Sequence, residues 1–384
     1  GLVDEAHVSP FLVSCGVSSW SMLEPESARR TYEIWVTSDA ALGRRFEERH
    51  GGYIRAMMVG KVDSFQRRHP SAGFPLAVLY KFLDDRGGYL AALIAYYSFL
   101  SLFPLLLLFT TVLGIVLAGD PELQSRIIDS AMSQIPVIGD QLGQPDRLSG
   151  GTTAIVIGVV GSLYGGLGVS LAAQYAMNTA WSVPRNEQPD PIKGRLRGLL
   201  LLSTVGTAII GLTVLNGVAS SGVFGFAGGA LALVGAVVVN VVVFTAAFRI
   251  GTARALTVRE VLPGAAIAAV IWQALQSFGG IYIRYVVGNA SASNGIFAIV
   301  LGLLGFLYVS SVLIVLCIEI NAVRVDHLHP RALLTPFTDN VELTEGDKNS
   351  YTGQAEAQRN KGFQDITVTY DEPDSVTGED APTK

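Results

Sequence analysis

Fifty-one consecutive residues, Gly198–Phe248, contain no Asp, Glu, Lys or Arg. A soluble domain rarely has use for such a run. A bilayer does, because its apolar core of about 30 Å takes roughly 20 helical residues to cross. The run is too long for one span and fits two, joined by the uncharged turn Ser220–Gly229, SSGVFGFAGG. The chain is therefore expected to cross a membrane more than once. Only 15% of its 384 residues are charged, against about 25% in an ordinary soluble domain.

Further charge-free runs mark the remaining spans. Residues 87–119 hold span one, about Tyr89–Leu117, and residues 148–184 hold span two, about Thr152–Ala180. The long run supplies span three, about Leu199–Ser220, and span four, about Phe226–Phe248. Residues 261–283 hold span five, and span six covers about Gly295–Ala322. Lipid offers the backbone no hydrogen bonds, so each span should be a helix. The expected fold is all-α, a polytopic membrane protein with six transmembrane helices.

Flanking basic residues set the orientation. Lys61, Arg67, Arg68, Lys81, Arg86, Arg185, Lys193, Arg195, Arg197, Arg249, Arg254, Arg259, Arg324 and Arg331 fall on one side, fourteen in all. Arg126, Arg147 and Arg284 fall on the other. The positive-inside rule places the fourteen, and with them both termini, in the cytoplasm.

Outside the spans, Pro121–Gly139 has apolar residues at helical spacing. It reads either as an amphipathic helix on the outer surface or as a helix packed on the ends of the spans. Residues 1–60 show little periodicity. They are expected to be a poorly ordered extension or an over-extended gene model, with the better-patterned sequence opening at Met57 or Met58. The membrane domain is assigned to residues 61–335. The tail, residues 336–384, is expected to be a disordered cytoplasmic segment. Its stretch from Asp339 holds eleven acidic and four basic residues and few large apolar ones.

Glu319 is the one acidic residue inside an expected span. Membrane-buried charge is costly and marks function by default. A carboxylate near a helix C-terminus also opposes the helix dipole, so a basic partner is expected, from Arg249, Arg254 or Arg185. The competing readings are a structural ion pair and a transport or proton role. Gln174 and Asn178, four residues apart in span two, lie at the same depth as Glu319 and Asn321. Those four form the expected inner-leaflet polar cluster. In span five, Gln273, Gln276, Gly280 and Arg284 share a narrow face, read as a pathway wall or as inter-helix hydrogen bonding. Tyr96, Tyr97 and Ser101 precede Pro104 in span one, where a proline-induced notch is an alternative to hydrogen bonding within the protein. Glycines 158, 161, 165, 166 and 168 of span two are expected to permit close helix packing.

Three stretches carry a resemblance: Arg86–Leu108, RGGYLAALIAYYSFLSLFPLLLL; Leu262–Trp272, LPGAAIAAVIW; and Gly295–Val323, ending GFLYVSSVLIVLCIEINAV. With the span order they resemble the YihY/BrkB family of bacterial inner-membrane proteins, over about residues 60–330. The resemblance implies an all-helical multi-pass protein of the inner membrane, and a role in moving lipid or solute is a proposal for that family. Some members were once called ribonuclease BN. Nuclease chemistry is not expected in this chain. Metal-assisted phosphodiester hydrolysis needs clustered His and carboxylate ligands, and the five histidines offer only His327 and His329 as a close pair. There is no P-loop motif and no basic nucleic-acid footprint. No catalytic residue, metal or cofactor is expected. The expected function is transport of a lipid or small amphipathic solute, the alternative a non-transporting envelope scaffold. Expected partners are membrane lipids, the lipid or amphipathic substrate and a second copy of the chain; nucleic acid is not among them.

Overall fold

The computed structural model describes residues 63, 66, 68–116, 152–220, 228–288, 295–333, 335 and 341–371. The chain divides into residues 1–64 and 65–384, and nearly all described residues belong to the second unit. The expected surface helix Pro121–Gly139 and the whole of residues 1–60 lie outside the described residues.

The described residues form eight α-helices and no strand. These are α1 (Pro70–Asp84), α2 (Gly87–Val116), α3 (Thr152–Ala180), α4 (Pro191–Ser220), α5 (Gly228–Gly251), α6 (Val258–Gly288), α7 (Gly295–Val325) and α8 (Glu345–Glu356). The six long helices, α2 to α7, stand where the six expected spans predict helices. Two of them begin on the basic side before their charge-free runs do. α4 begins at Pro191, with Asp190 Oδ1 accepting from Lys193 N at 2.9 Å as an N-cap. α6 begins at Val258, where Glu260 Oε2 accepts from Thr257 N at 2.6 Å. Charged first turns of this kind are invisible to a search for charge-free sequence.

Among the described residues, four helical segments are long and apolar enough to cross a membrane: Ile155–Ala180, Leu233–Gly251, Val258–Gln276 and Val300–Val325. Gly87–Leu102 is apolar over a shorter described stretch. The distribution of polarity agrees. Val156, Ile157 and Val160 on α3 and Val234, Val238 and Val242 on α5 are exposed, while Gln174, Asn178, Asn240 and Asn321 are buried. Water favours the opposite arrangement, whereas a bilayer accepts apolar faces outward. This is an integral membrane protein.

Successive helices α2 to α7 pack on their neighbours, and α7 returns to α2 to close the ring. The α2–α3 contact is built on glycine. A Cβ at Gly161 would come within 2.7 Å of Pro104, at Gly165 within 2.5 Å of Ser101, and at Gly168 within 2.2 Å of the Tyr97 ring. The two backbones approach only because these positions carry no side chain. α1 packs on α7, burying Ala77 and Val78 against Val323 and Leu328.

The acidic tail departs from expectation. Residues 341–371 are ordered, with α8 at their centre. The physical reason is local and then tertiary. Thr344 Oγ1 accepts from Asp347 N at 3.2 Å and Asp347 Oδ2 accepts from Thr344 N at 3.0 Å, a reciprocal capping box. The same Asp347 is wholly buried against Arg331. Residues beyond 371 lie outside the described residues.

Candidate functional site

The polar residues predicted to cluster near the basic ends of the helices are all buried. Among the described residues no hydrogen bond or ion pair joins Gln174, Asn178, Glu319 and Asn321 to one another. Gln174 Nε2 donates to Gly194 O at 3.0 Å and ties α3 to α4. Asn178 Oδ1 accepts from Ala253 N at 2.8 Å and ties α3 to the α5–α6 turn. These amides act as staples between elements.

Asn321 has a more exacting task. Gly264 sits so close to α7 that a Cβ there would stand 2.2 Å from Cys317 O. Asn321 Oδ1 accepts from Gly264 N at 2.8 Å, and its Nδ2 donates to Val261 O at 3.1 Å. Pro263 has no N–H to offer the carbonyl one turn back, so Arg259 O needs another donor. Arg324 Nη2 supplies it at 2.8 Å and also donates to Glu260 O at 2.9 Å. Two α7 side chains therefore complete the first turn of α6. The Leu262–Pro263–Gly264 and Glu319–Ile320–Asn321 motifs, distant in sequence, meet here.

Glu319 is the exception. Its side chain is fully buried beside that of Asp85, and as a carboxylate it meets no hydrogen-bond donor among the described residues. The nearest cation is Lys81 Nζ on α1, 3.9 Å from Oε2, itself fully buried and hydrogen-bonded to Asp85. The arginines expected as partners are engaged elsewhere or distant. Arg254 pairs with Asp326 at 3.0 Å and stacks over Trp181 at 5.1 Å. Arg249 Nε donates to Leu256 O at 2.9 Å. Arg185 is exposed and makes no ion pair with Glu319. Lys81 takes the role because α1 runs along α7, a proximity across 238 positions of sequence that charge counting cannot reveal.

A second ionic group joins this one through Asp84 and Asp85. The buried Arg331 donates from Nη2 to Asp84 at 2.9 Å, from Nε to Asp347 at 2.5 Å and from Nη1 to Ser350 at 3.2 Å. Gln354 of α8 donates to Asp85 Oδ1 at 3.3 Å. Two cations, Lys81 and Arg331, thus face four carboxylates, Asp84, Asp85, Glu319 and Asp347. Burial opposes the charge on Lys81, yet Glu319 and Asp85 outweigh it and hold the ammonium above the usual lysine range. Burial also pushes Asp85 up, only partly offset by Lys81. Among the described residues there is no grouping of His, Cys, Asp and Glu able to hold a metal ion.

The other predicted residues lie apart. Tyr97 is half-buried, its ring against Gly168 and edge-on to Tyr96 at 5.3 Å. Gln273 and Gln276 are half-buried and engaged on α6. Arg284 belongs to α6, and its side chain lies outside the described residues. Sequence reasoning missed Lys81, Asp84, Asp85, Arg331 and Asp347. The Thr344–Glu–Gly–Asp347 capping pattern was a signal that could have found the last of them.

An all-helical ring with a buried ionic cluster between α1, α7 and α8 defines a multi-helix integral membrane protein. Residues 78–337, about two thirds of the chain, match the family described as Virulence factor BrkB. The chain belongs to the BrkB family. No curated protein and no solved structure matches it.

Proposed function

We propose that this protein is a transporter of the bacterial inner membrane that moves a lipid or small amphipathic solute. In this reading α2 to α7 all cross the bilayer, and both termini are cytoplasmic. The chain has no catalytic role. The observation that carries the reading is Glu319. A buried membrane carboxylate without a hydrogen-bond donor is costly to keep for structure alone. Beside Lys81, and in a cluster richer in carboxylates than in cations, it is suited to engage a moving species. The apolar outer faces of the helices give an amphiphile lateral access from lipid.

The test uses purified protein in liposomes. Glu319→Gln keeps shape and hydrogen-bonding capacity, so it should assemble normally and lose flux or lipid scrambling. Normal flux in the variant would remove Glu319 from the mechanism. Flux absent from the wild type would favour the scaffold reading, for which the docked tail, presenting the 91% exposed Phe363, is the supporting observation. Orientation has its own check: a cysteine at Asn186 should resist labelling from outside intact cells, and labelling there would invert the topology.

A further inference from the structure

The turn from α1 to α2 is a left-handed helix cap at Arg86, of the kind that also ends α3 at Ser182 and α7 at His327. Arg86 adopts φ +55°, a left-handed conformation uncommon outside glycine. Gly87 is not free to vary, since a Cβ there would strike the Phe82 ring at 2.2 Å. The turn is held by Arg86 N donating to Leu83 O at 3.0 Å and Tyr89 N donating to Arg86 O at 2.9 Å. Its effect is to present the Arg86 side chain at an open groove.

That groove has a volume of about 420 Å³, within the roughly 300–1,000 Å³ of small-molecule sites. Phe82, Leu83, Tyr89, Ala92 and Tyr308 form its walls, and Arg86 is the one charged residue lining it among the described residues. Arg254, Arg324 and Arg331 all find carboxylate or carbonyl partners. Arg86 is exposed and has none among the described residues. Tyr89 and Tyr308 are 79% and 41% exposed; tyrosines suit a boundary where one end of a ligand is apolar and the other wet. Beyond the groove the apolar surface continues. Tyr89, Leu93, Tyr96 and Leu100 are all exposed, and their spacing places them on one face of α2.

We propose that this groove binds one phospholipid of the cytoplasmic leaflet. The Arg86 guanidinium takes the phosphate, and the acyl chains follow Tyr89, Leu93, Tyr96 and Leu100 along α2. A guanidinium recognises phosphate by paired charge-assisted hydrogen bonds, and a free anion would have no use for the apolar stripe. The proposal rests on the transport reading only for the choice of leaflet, which follows from placing Arg86 on the cytoplasmic side.

Native mass spectrometry of the full chain in mild detergent tests it, with phosphatidylglycerol, diacylglycerol and inorganic phosphate as probes. Two variants are used. Arg86→Gly removes the guanidinium and suits φ +55°, so the fold is retained; Ala92→Trp fills the groove and keeps the charge. Phosphatidylglycerol should bind the wild type at one site, and each variant should weaken it roughly tenfold or more. Diacylglycerol should not distinguish wild type from Arg86→Gly. Equal phosphatidylglycerol affinity in wild type and Arg86→Gly would overturn the proposal. So would binding of inorganic phosphate as tight as that of the lipid. Liposome flux is a separate readout: a protein that holds the lipid through Arg86 but moves nothing keeps the site and loses the transport reading.

Discussion

On one side of α7, Asn321 and Arg324 face α6; on the other, Glu319 faces α1. The two junctions lie within six residues of each other and treat buried polarity differently. At the α6 junction the side chains match the backbone groups left over by Pro263 and the first helical turn. At the α1 junction a carboxylate is buried 3.9 Å from an ammonium that is already hydrogen-bonded to Asp85. Buried polar groups that serve structure are normally satisfied. The contrast sets a satisfied structural seam against the group that the proposed transport reading needs to change partners. The Arg331 group next to it behaves like the seam: every described contact of its guanidinium is to a carboxylate, a hydroxyl or the Tyr351 ring.

Arg331→Ala should have the largest effect on stability. It leaves Asp347 and Asp84 without their cation in a buried setting, which costs about 3–5 kcal/mol, and it removes the anchor of α8. Thermal unfolding in detergent should show a large drop, and limited proteolysis should open residues 341–371. An unchanged melting temperature would mean that the tail docks independently of Arg331.

Asn321→Ala should come next. It strips the buried Gly264 N–H of its acceptor, a loss of about 1–3 kcal/mol. Its melting temperature should fall, whereas any activity that survives in folded protein should be unaltered. A transport defect without a stability defect would blur the line between the two junctions.

Glu319→Gln should be the mildest for stability. Lys81 keeps Asp85, and one carboxylate is removed from a cluster that has four against two cations. The melting temperature should stay close to wild type while flux is lost. A drop as large as that of Arg331→Ala would make Glu319 a structural ion-pair partner and erase the comparison.

Helix positions were legible because lipid makes charge expensive. Thr152 and Ala180 bound α3 where the charge-free run places them. Order in the tail was only half legible. The capping box could be read from Thr344 and Asp347, but composition alone favoured disorder, because it does not register a buried arginine waiting for the capping aspartate. Depth along the helices was also readable, so Gln174, Asn178, Glu319 and Asn321 are all buried as polar residues on the expected helices. Their partners were not readable. An amide at a given depth can bond any backbone group that packing brings within 3 Å, and that depends on which helices adjoin.

The sequence by itself determined the membrane class, the positions of the helices and the family, since these follow from local hydropathy and from short motifs. Only the tertiary structure decided that Lys81, not an arginine, stands beside Glu319, that Asn321 and Arg324 repair α6, and that Arg331 gathers the tail. The reason is range. Burial of charge is enforced residue by residue along the chain, whereas a choice of partner is settled only when helices far apart in sequence pack side by side.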